Sequence, residues 1–197
     1  MILATCKVTG TAAYSQSRPH DTPKLSKELA KDYETRTWKE RVHADKDGNV
    51  FIPAMAFKNC IAECAKYMSI QIPGKGKSTY TKHFEAGVMV LDNIDLNIHK
   101  DDIESEWVFV PVDGRKGCGS RVWKNFPYIN PGWTATVKFY ILDETITEDV
   151  FRDHLTQAGN FIGLGRFRPR NGGMHGRFTI DDVKWEAVKG TASQKAA

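Results

Sequence analysis

Apolar and polar positions alternate in two stretches of the chain, and this alternation predicts β-strands. In residues 3–13 (LATCKVTGTAA) the even positions from 4 to 8 are apolar and their neighbours are polar, with a bulge expected at Gly10. In residues 134–142 (TATVKFYIL) the odd positions from 135 to 141 are apolar. Each stretch therefore predicts a strand with one face in the core.

Two other stretches repeat apolar residues at helical spacing. Residues 52–68 (IPAMAFKNCIAECAKYM) predict a helix, and its buried stripe is Phe57, Ile61, Cys64 and Met68. A second helix is expected after Thr147, because Glu148 and Asp149 would lie in its first turn, where the helix dipole favours acids. The stripe of this second helix is Val150, Phe151, Leu155, Ala158 and Ile162.

The segments between these elements predict strands and loops. Asp47-Gly48, between short strand-like pieces, predicts a hairpin. Residues 86–98 (AGVMVLDNIDLNI) and 106–112 (EWVFVPV) predict one strand each. Residues 113–133 (DGRKGCGSRVWKNFPYINPGW) predict a basic loop with aromatic residues, whose Trp123, Phe126 and Trp133 we expect in the core.

The order of these elements predicts the fold class. Two strand-helix-strand units on one antiparallel sheet give an α+β, ferredoxin-like fold related to the RRM, with two packed helices and large inserted loops. We predict one domain over residues 1–190 and a disordered polar tail at 191–197. Residues 15–43 are charged and poor in apolar anchors, so we interpret them as an inserted arm with a short helix at 24–33.

Composition narrows the function classes only slightly. The chain has 41% hydrophobic and 26% charged residues and a formal charge of +4, so affinity for nucleic acid would depend on where the charges cluster. No signal peptide or membrane span is apparent, which predicts a cytoplasmic protein that does not bind membranes. No metal or other cofactor is predicted, and the cysteines are expected to be buried thiols: Cys6, Cys60, Cys64 and Cys118.

One loop stands out before the closing strand at 176–185. Residues 163–178 (GLGRFRPRNGGMHGRF) contain five glycines and four arginines without an acid. Glycines permit close backbone approach, and guanidiniums bind phosphate oxygens or stack on bases. The alternative is a flexible connection with incidental arginines, although these cations would repel one another unless an anion or an acidic partner relieved them. The predicted nucleic-acid-binding residues here are Gly163, Gly165, Arg166, Arg168, Arg170, His175 and Arg177.

Two segments resemble the CRISPR-associated RAMP superfamily. NVFIPAMAFKNCI (49–61) is similar to its IPGSSLKG strand-to-helix segment, although Ala54 to Phe57 replace the preferred glycine and serines. The helix followed by GLGRFRPRNGGMHGRFTI is similar to its carboxyl-terminal glycine-rich loop. Within the superfamily, the resemblance is greatest to the Cas-seven-type backbone subunits, which polymerise along a guide RNA. The short chain also fits a stand-alone or phage-borne relative.

The resemblance implies a non-catalytic protein that binds single-stranded RNA, or single-stranded DNA, and assembles head-to-tail into a filament, with other effector-complex subunits as further partners. Lys58 matches the motif lysine and would form a phosphate site in the first turn of its helix, unless it is an ordinary solvated lysine. The arm would act as a thumb over the bases, unless it is a mobile insertion. The contacts expected in the arm and in the basic loop are Tyr33, Trp38, Lys39, Arg41, Arg115, Lys116 and Arg121.

Two alternatives remain. A RAMP-type endoribonuclease would need a general base such as His20, His43 or His175, or a metal-binding aspartate. The aspartates available in or beside the arm are Asp21, Asp32 and Asp45. The other alternative is a protein-binding mimic of such a subunit, which would not bind nucleic acid.

Overall fold

Alternating side chains place the first strand at the centre of the molecule. In the computed structural model, which describes residues 1–112 and 119–188, Ala4, Cys6 and Val8 are buried. The strands are β1 (Ile2–Gly10), β2 (Asn49–Ile52), β3 (Val88–Met89), β4 (Ile94–His99), β5 (Glu104–Pro111), β6 (Arg121–Tyr128), β7 (Thr134–Ile141) and β8 (Phe178–Ala187). The helices are α1 (Ala30–Thr37), α2 (Ala54–Met68), α3 (Thr81–Gly87) and α4 (Glu148–Gln157).

The main sheet has the strand order of a ferredoxin-like fold. Its order is β3-β7-β1-β8, and each neighbouring pair is antiparallel. Helix α2 connects β1 to β3 and helix α4 connects β7 to β8, so the chain contains the two predicted strand-helix-strand units. The predicted α+β fold class is confirmed. The pairs β2-β4 and β5-β6 form two additional small sheets.

Both predicted helices pack their apolar stripes on the same face of this sheet. Phe139 on β7 contacts Phe57 of α2 and Phe151 of α4 edge to face, with ring centroids 6.2 and 5.2 Å apart. Helix α4 begins as predicted, because the Thr147 hydroxyl accepts a hydrogen bond from the Val150 amide. Cys6, Cys60 and Cys64 are free and buried, as expected, whereas Cys118 lies outside the described residues.

The structure corrects four expectations about local elements. The bulge pairs Lys7 and Val8 of β1 with Asp182 and Ile180, so the extra residue belongs to β8 and Gly10 is regular. The helix of the arm spans 30–37 instead of 24–33, because Lys27 has a left-handed backbone (φ 59°) that interrupts any helix there. Residues 86–98 form two short strands rather than one.

The fourth correction concerns the basic segment at 113–133. Its residues 121–128 form β6, which pairs in register with β5 from Glu104↔Tyr128 to Pro111↔Arg121. This pairing leaves Trp123 60% exposed, so the expectation that it lies in the core is wrong, whereas Phe126 and Trp133 are buried. Arg115 and Lys116, and the predicted tail at 191–197, lie outside the described residues.

Two further features complete the architecture. The turn at Asp47-Gly48 forms as predicted, with Gly48 at φ 89° and a bridge between Ala44 and Val50. None of the helices in the described ranges has the length and apolar character needed to cross a membrane.

We predict that Gly159→Ala destabilises the fold, because a Cβ there would lie 2.1 Å from the backbone oxygen of Phe178 at the start of β8. Overpacking against backbone that has no room to move costs about 1–3 kcal/mol. Urea unfolding should show a lower midpoint. Gly119→Ala is the control, because its Cβ would meet no atom of the described residues within 4 Å. Equal midpoints for the two variants would contradict the packing described here.

Candidate nucleic-acid interface

The glycine-rich loop at 163–178 is fixed to the start of the arm by backbone contacts. The Arg166 amide donates to the Ser15 carbonyl at 2.9 Å, and the Gly176 amide donates to the Ala13 carbonyl at 2.7 Å. Gly165 has a φ of 71°, and a Cβ on it would lie 2.4 Å from the Ser15 carbonyl oxygen. The loop is therefore an ordered part of the structure and not a free connection.

Arg166 occupies the centre of this loop, between two aromatic rings. Its guanidinium carbon lies 3.4 Å from the ring centroid of Phe126 and 4.1 Å from that of Phe167. Its Nε donates to the Ser15 hydroxyl, while its buried Nη2 has no hydrogen-bond partner in the part of the chain that the structure describes. Burial lowers the pKa of Arg166 to about 10, with Glu106 opposing this shift and Arg41 adding to it. The side chain therefore remains charged at neutral pH.

The other three arginines of the loop have partners within the protein. Arg168 and Arg170 approach the two carboxylate oxygens of Glu63 on α2 at 3.0 and 3.2 Å. Arg177 donates to the Asn160 carbonyl at 2.6 Å. The sequence predicted that these arginines need an acidic partner to relieve their repulsion. Glu63 is this partner, although it lies about a hundred residues earlier in the sequence. Among the described residues, Arg166 and Arg177 thus have no acid within ion-pair distance, and Arg166 is the more buried of the two.

The arm is fixed beside Arg166 by a buried ion pair. Nη2 of Arg41 lies 3.1 and 3.0 Å from the two oxygens of Glu34, and both side chains are 9% exposed. Glu34 also accepts the backbone N–H of Asn125 on β6 at 3.1 Å. The Arg41 guanidinium lies over the Phe126 ring, 5.1 Å from its centroid. Arg41 therefore joins the arm to β6, and its buried Nη1 has no hydrogen-bond partner within the described ranges.

The remaining arm residues are divided between packing and the surface. Trp38 is partly buried against the core, and Lys39 pairs with Asp101 at 2.7 Å. Tyr33 is half-buried, donates its hydroxyl hydrogen to the Thr22 carbonyl, and lines a cavity beside Arg166. Of the predicted arm contacts, Tyr33 and Arg41 are thus the two that the fold brings to Arg166.

Three adjoining depressions meet at Arg166. The arm-side cavity, about 640 Å³, lies between the arm and the β5-β6 hairpin. The loop-side cavity, about 900 Å³, extends from Phe109 and Arg121 to Arg170 and Gly173. The helix-side cavity, about 320 Å³, reaches His43, Pro53 and Ala56. Together they form a groove, called here the Arg166 groove, whose cationic side chains are Arg18, Arg41, Arg121, Lys124, Arg166 and Arg170.

The charge of the Arg166 groove is predominantly positive. Among the described residues that line it, Glu34 is the carboxylate present, and Arg41 already neutralises it. Phe109, Phe126 and Phe167 add aromatic surface between the cations. A groove with fixed cations and aromatic rings is suited to an extended anion that carries planar groups, which is the chemistry of single-stranded nucleic acid.

Lys58 does not lie where the motif predicts it. Helix α2 begins at Ala54, so Lys58 is its fifth residue and lies in the second turn. The first free amide, that of Ala54, already donates to the Asn93 side chain at 3.2 Å. The expected position of Lys58 in the first turn is therefore wrong, whereas a phosphate contact of Lys58 stays a prediction.

The three predicted catalytic histidines lie in different surroundings. His20 lines the arm-side cavity and has a buried, unpartnered Nδ1. His43 lines the helix-side cavity, and burial lowers its pKa, with a smaller contribution from Arg18. The His175 ring packs edge to face on Tyr128 and Phe167, 4.0 Å from Glu106, and burial lowers its pKa. The fold does not assemble these histidines into one catalytic cluster.

The aspartates show no metal site in the part of the chain that the structure describes. No group of three or more His, Cys, Asp or Glu side chains there is arranged to hold a metal ion. Asp45 stabilises the 45–49 turn, accepting hydrogen bonds from the Asp47 and Asn49 amides. The hydrogen bonds from Asn49 lower its pKa the most.

Sequence reasoning missed Arg18 and Phe167 as site residues and left Lys124 undecided. Phe167 lies between two arginines of the loop, and its non-glycine φ of 54° turns the chain so that its ring covers Arg166. An aromatic residue between arginines was the available signal. Arg18 and Lys124 offered no signal, because they reach the groove only through the docking of the arm on β6.

The fold, but not the sequence, resembles known proteins. No protein-family model and no curated protein matches the sequence. A chain in the cryo-EM structure of the Type III-B Cmr-beta bound to cognate target RNA superposes with a TM-score of 0.53 at 13% identity, over 93% of this chain and 60% of that chain. The crystal structure of Cmr6 from Pyrococcus furiosus matches 91% of this chain and 98% of its own, with a TM-score of 0.48 and 14% identity.

The first of these matches shows that this chain shares its overall fold with a chain of the Cmr-beta complex. This chain spans about three-fifths of that neighbour's length. At 13% identity the similarity extends to the fold alone.

We predict that Glu34→Gln is strongly destabilising, because it leaves the buried Arg41 guanidinium without its counter-charge. Breaking a buried ion pair from one side costs about 3–5 kcal/mol. The double variant Glu34→Leu/Arg41→Met should recover much of this loss, because it leaves no buried charge. Urea unfolding of the three proteins provides the measurement. A single variant as stable as the parent would show that the pair does not fix the arm.

Proposed function

We propose that this protein binds single-stranded RNA along the Arg166 groove as a CRISPR-effector-type subunit. The proposal is carried by one observation. Three depressions with six cationic side chains in their lining meet at Arg166, whose guanidinium lies between two aromatic rings. The neighbour with a TM-score of 0.53 belongs to a Cmr-beta complex bound to cognate target RNA, which favours RNA over single-stranded DNA.

The groove chemistry fits phosphate contacts along a strand. Arg18 and Arg121 are exposed cations at separate points of the groove, and Arg166 lies between them. Contacts of this kind depend on salt and read little sequence, because they are made to the backbone. Phe167 is an exposed ring beside these cations, on which a base would stack.

The outer face of the main sheet is a poorer candidate for the interface. It presents Thr5 between Lys138 of β7 and Lys184 of β8, with the acids Asp181 and Asp182 also exposed. RRM sheets bind bases through aromatic side chains on this face. The outer face here combines opposite charges with threonines, which suits nucleic acid poorly. This composition favours the Arg166 groove, which is built by loops, as the interface.

Head-to-tail assembly is the second part of the proposal. The Phe109 and Trp123 rings, 46% and 60% exposed, pack on each other 5.2 Å apart on the β5-β6 hairpin. Together with Trp107 and Ala30 they line a cavity of about 580 Å³. An exposed apolar surface of this kind is typical of protein contacts, and a neighbouring copy on the same strand would cover it.

The test is fluorescence anisotropy with labelled single-stranded RNA, single-stranded DNA and duplex DNA at several salt concentrations. We expect salt-sensitive binding to RNA, with stoichiometry that rises in steps with strand length. Arg166→Ala should weaken binding roughly 10–100-fold, since a hydrogen bond to a charged group contributes about 1.5–3 kcal/mol. Lys138→Ala, on the outer sheet face, is the control and should bind normally.

The outcomes separate the competing functions. Equal affinity of Arg166→Ala and Lys138→Ala would overturn the groove as the interface. The absence of binding to any strand would favour the protein-binding mimic. A nuclease would produce RNA fragments in the same mixtures, and His20 is its best-placed base because its unpartnered Nδ1 belongs to a residue that lines the arm-side cavity. Fragments that disappear in His20→Ala would establish that alternative.

A further prediction concerns the pairing of Glu63 with Arg168 and Arg170. These side chains are only partly buried, so an RNA phosphate would compete with the carboxylate for the two guanidiniums. Glu63→Gln should therefore tighten RNA binding and make the salt dependence steeper, by about 0.7 in the logarithmic slope for each cation that gains a phosphate.

Glu186→Gln is the matched control for this prediction. It removes one negative charge from the exposed outer face of β8, remote from the loop. If both variants changed affinity equally, the effect would reflect net charge alone, and competition at Glu63 would be excluded.

A further inference from the structure

Three buried polar atoms belong to residues that line the arm-side cavity and have no hydrogen-bond partner among residues 1–112 and 119–188. They are Nδ1 of His20, Nη1 of Arg41 and Nη2 of Arg166. The Arg41 residue is 7% exposed, so its free donor has little access to bulk solvent. A buried unpaired donor costs about 1–3 kcal/mol, and native proteins rarely keep several at one place without a ligand.

The formal charge of the same cavity is positive. Arg18, Lys124 and Arg166 are cations that line it without an ion-pair partner among the described residues, since Glu34 is committed to Arg41. Water satisfies donors but does not neutralise three cations. The ligand should therefore be an anion, and guanidiniums recognise phosphate oxygens through paired donors.

One wall of the cavity offers a surface for a planar group. The Tyr33 ring is half-buried and stacks on the His20 ring, with an interplanar angle of 25° and centroids 6.3 Å apart. Lys24 and Arg36 also lie over the Tyr33 ring, 5.6 and 5.7 Å from its centroid, so a base would have to displace one of these neighbours. The Tyr33 hydroxyl donates a hydrogen bond to the Thr22 carbonyl, 2.8 Å long. Aromatic side chains with fixed orientation are the usual stacking partners of unpaired bases.

We infer that the arm-side cavity binds a single nucleotide, with its phosphate on Arg18, Lys124 and Arg166 and its base on Tyr33. The cavity volume of about 640 Å³ lies within the range of sites for small molecules and is too small for an oligonucleotide. The inference rests on the proposed function, because a nucleotide of the bound RNA would occupy this site. A free mononucleotide carries the same chemistry.

The test is isothermal titration calorimetry of the full chain with AMP, CMP, GMP and UMP, with adenosine and inorganic phosphate as partial ligands. We expect the monophosphates to bind at least about tenfold more tightly than either partial ligand. Lys124→Ala should weaken AMP about tenfold, whereas Lys184→Ala, an exposed lysine of the outer sheet face, should not.

Two substitutions of Tyr33 distinguish base stacking from a structural role of this side chain. Tyr33→Phe loses the hydrogen bond to Thr22 and keeps the ring, so it should retain AMP binding. Tyr33→Leu should weaken AMP about tenfold and leave inorganic phosphate unchanged. If inorganic phosphate bound as tightly as AMP, or if Tyr33→Leu had no effect, the assigned base site would be overturned.

Competition with RNA distinguishes this inference from the proposed function. Displacement of labelled RNA by AMP, with both bound, supports the two together. RNA binding without any AMP binding would overturn the nucleotide site and leave the proposed function intact. AMP binding without RNA binding would support a site for free mononucleotides and overturn the proposed function.

Discussion

The stacking of Arg166 between Phe126 and Phe167 is the interaction on which the functional surface depends. Three parts of the chain must meet to form it: the glycine-rich loop, strand β6 and the start of the arm, which contributes the Ser15 hydroxyl. Phe167 adopts a left-handed backbone for this contact, and a Cβ on Gly173 would lie 1.7 Å from the Phe167 carbonyl oxygen. A left-handed backbone at a non-glycine residue costs about 1–3 kcal/mol. At Phe167 this conformation places the ring over Arg166, at the point where the three depressions meet.

Ion pairing inside the protein determines which of its many cations are available to a ligand. Arg168 and Arg170 share Glu63, Arg41 pairs with Glu34, and Lys39 pairs with Asp101. The formal charge of +4 therefore gives little indication of the local field. Arg166 differs from the others because its guanidinium is stabilised mainly by aromatic faces, which leave its charge uncompensated.

The core of the fold was predictable because its elements show their periods locally. The period-two strands β1 and β7 and the helices α2 and α4 were predicted from the residues that pack together on one sheet face. The failures involve structure that depends on distant partners. The sequence of strand β6 resembles a basic loop, and its strand conformation depends on pairing with β5. Helix α1 begins later in the arm than predicted, because the left-handed backbone of Lys27 prevents a helix there.

The site was predictable to a smaller extent for the same reason. Arg166 belongs to a segment whose composition is unusual by itself, so the sequence identified it. Its platform Phe126 lies forty residues earlier and looked like an ordinary core residue, as its burial bears out. Glu63, the acid that neutralises Arg168, lies in α2. The lack of acids within the loop therefore overstated how much of the loop's positive charge is uncompensated.

The groove is built from insertions, whereas the scaffold is built from the ferredoxin-like core. The arm and the β5-β6 hairpin supply Arg18, Tyr33 and Lys124, and only the glycine-rich loop follows directly from a core helix. The buried faces of β1 and β7 make no contribution to its lining. Substitutions in the arm are therefore able to change what the groove binds without changing the core packing, provided that the Glu34 and Arg41 pair keeps the arm on β6.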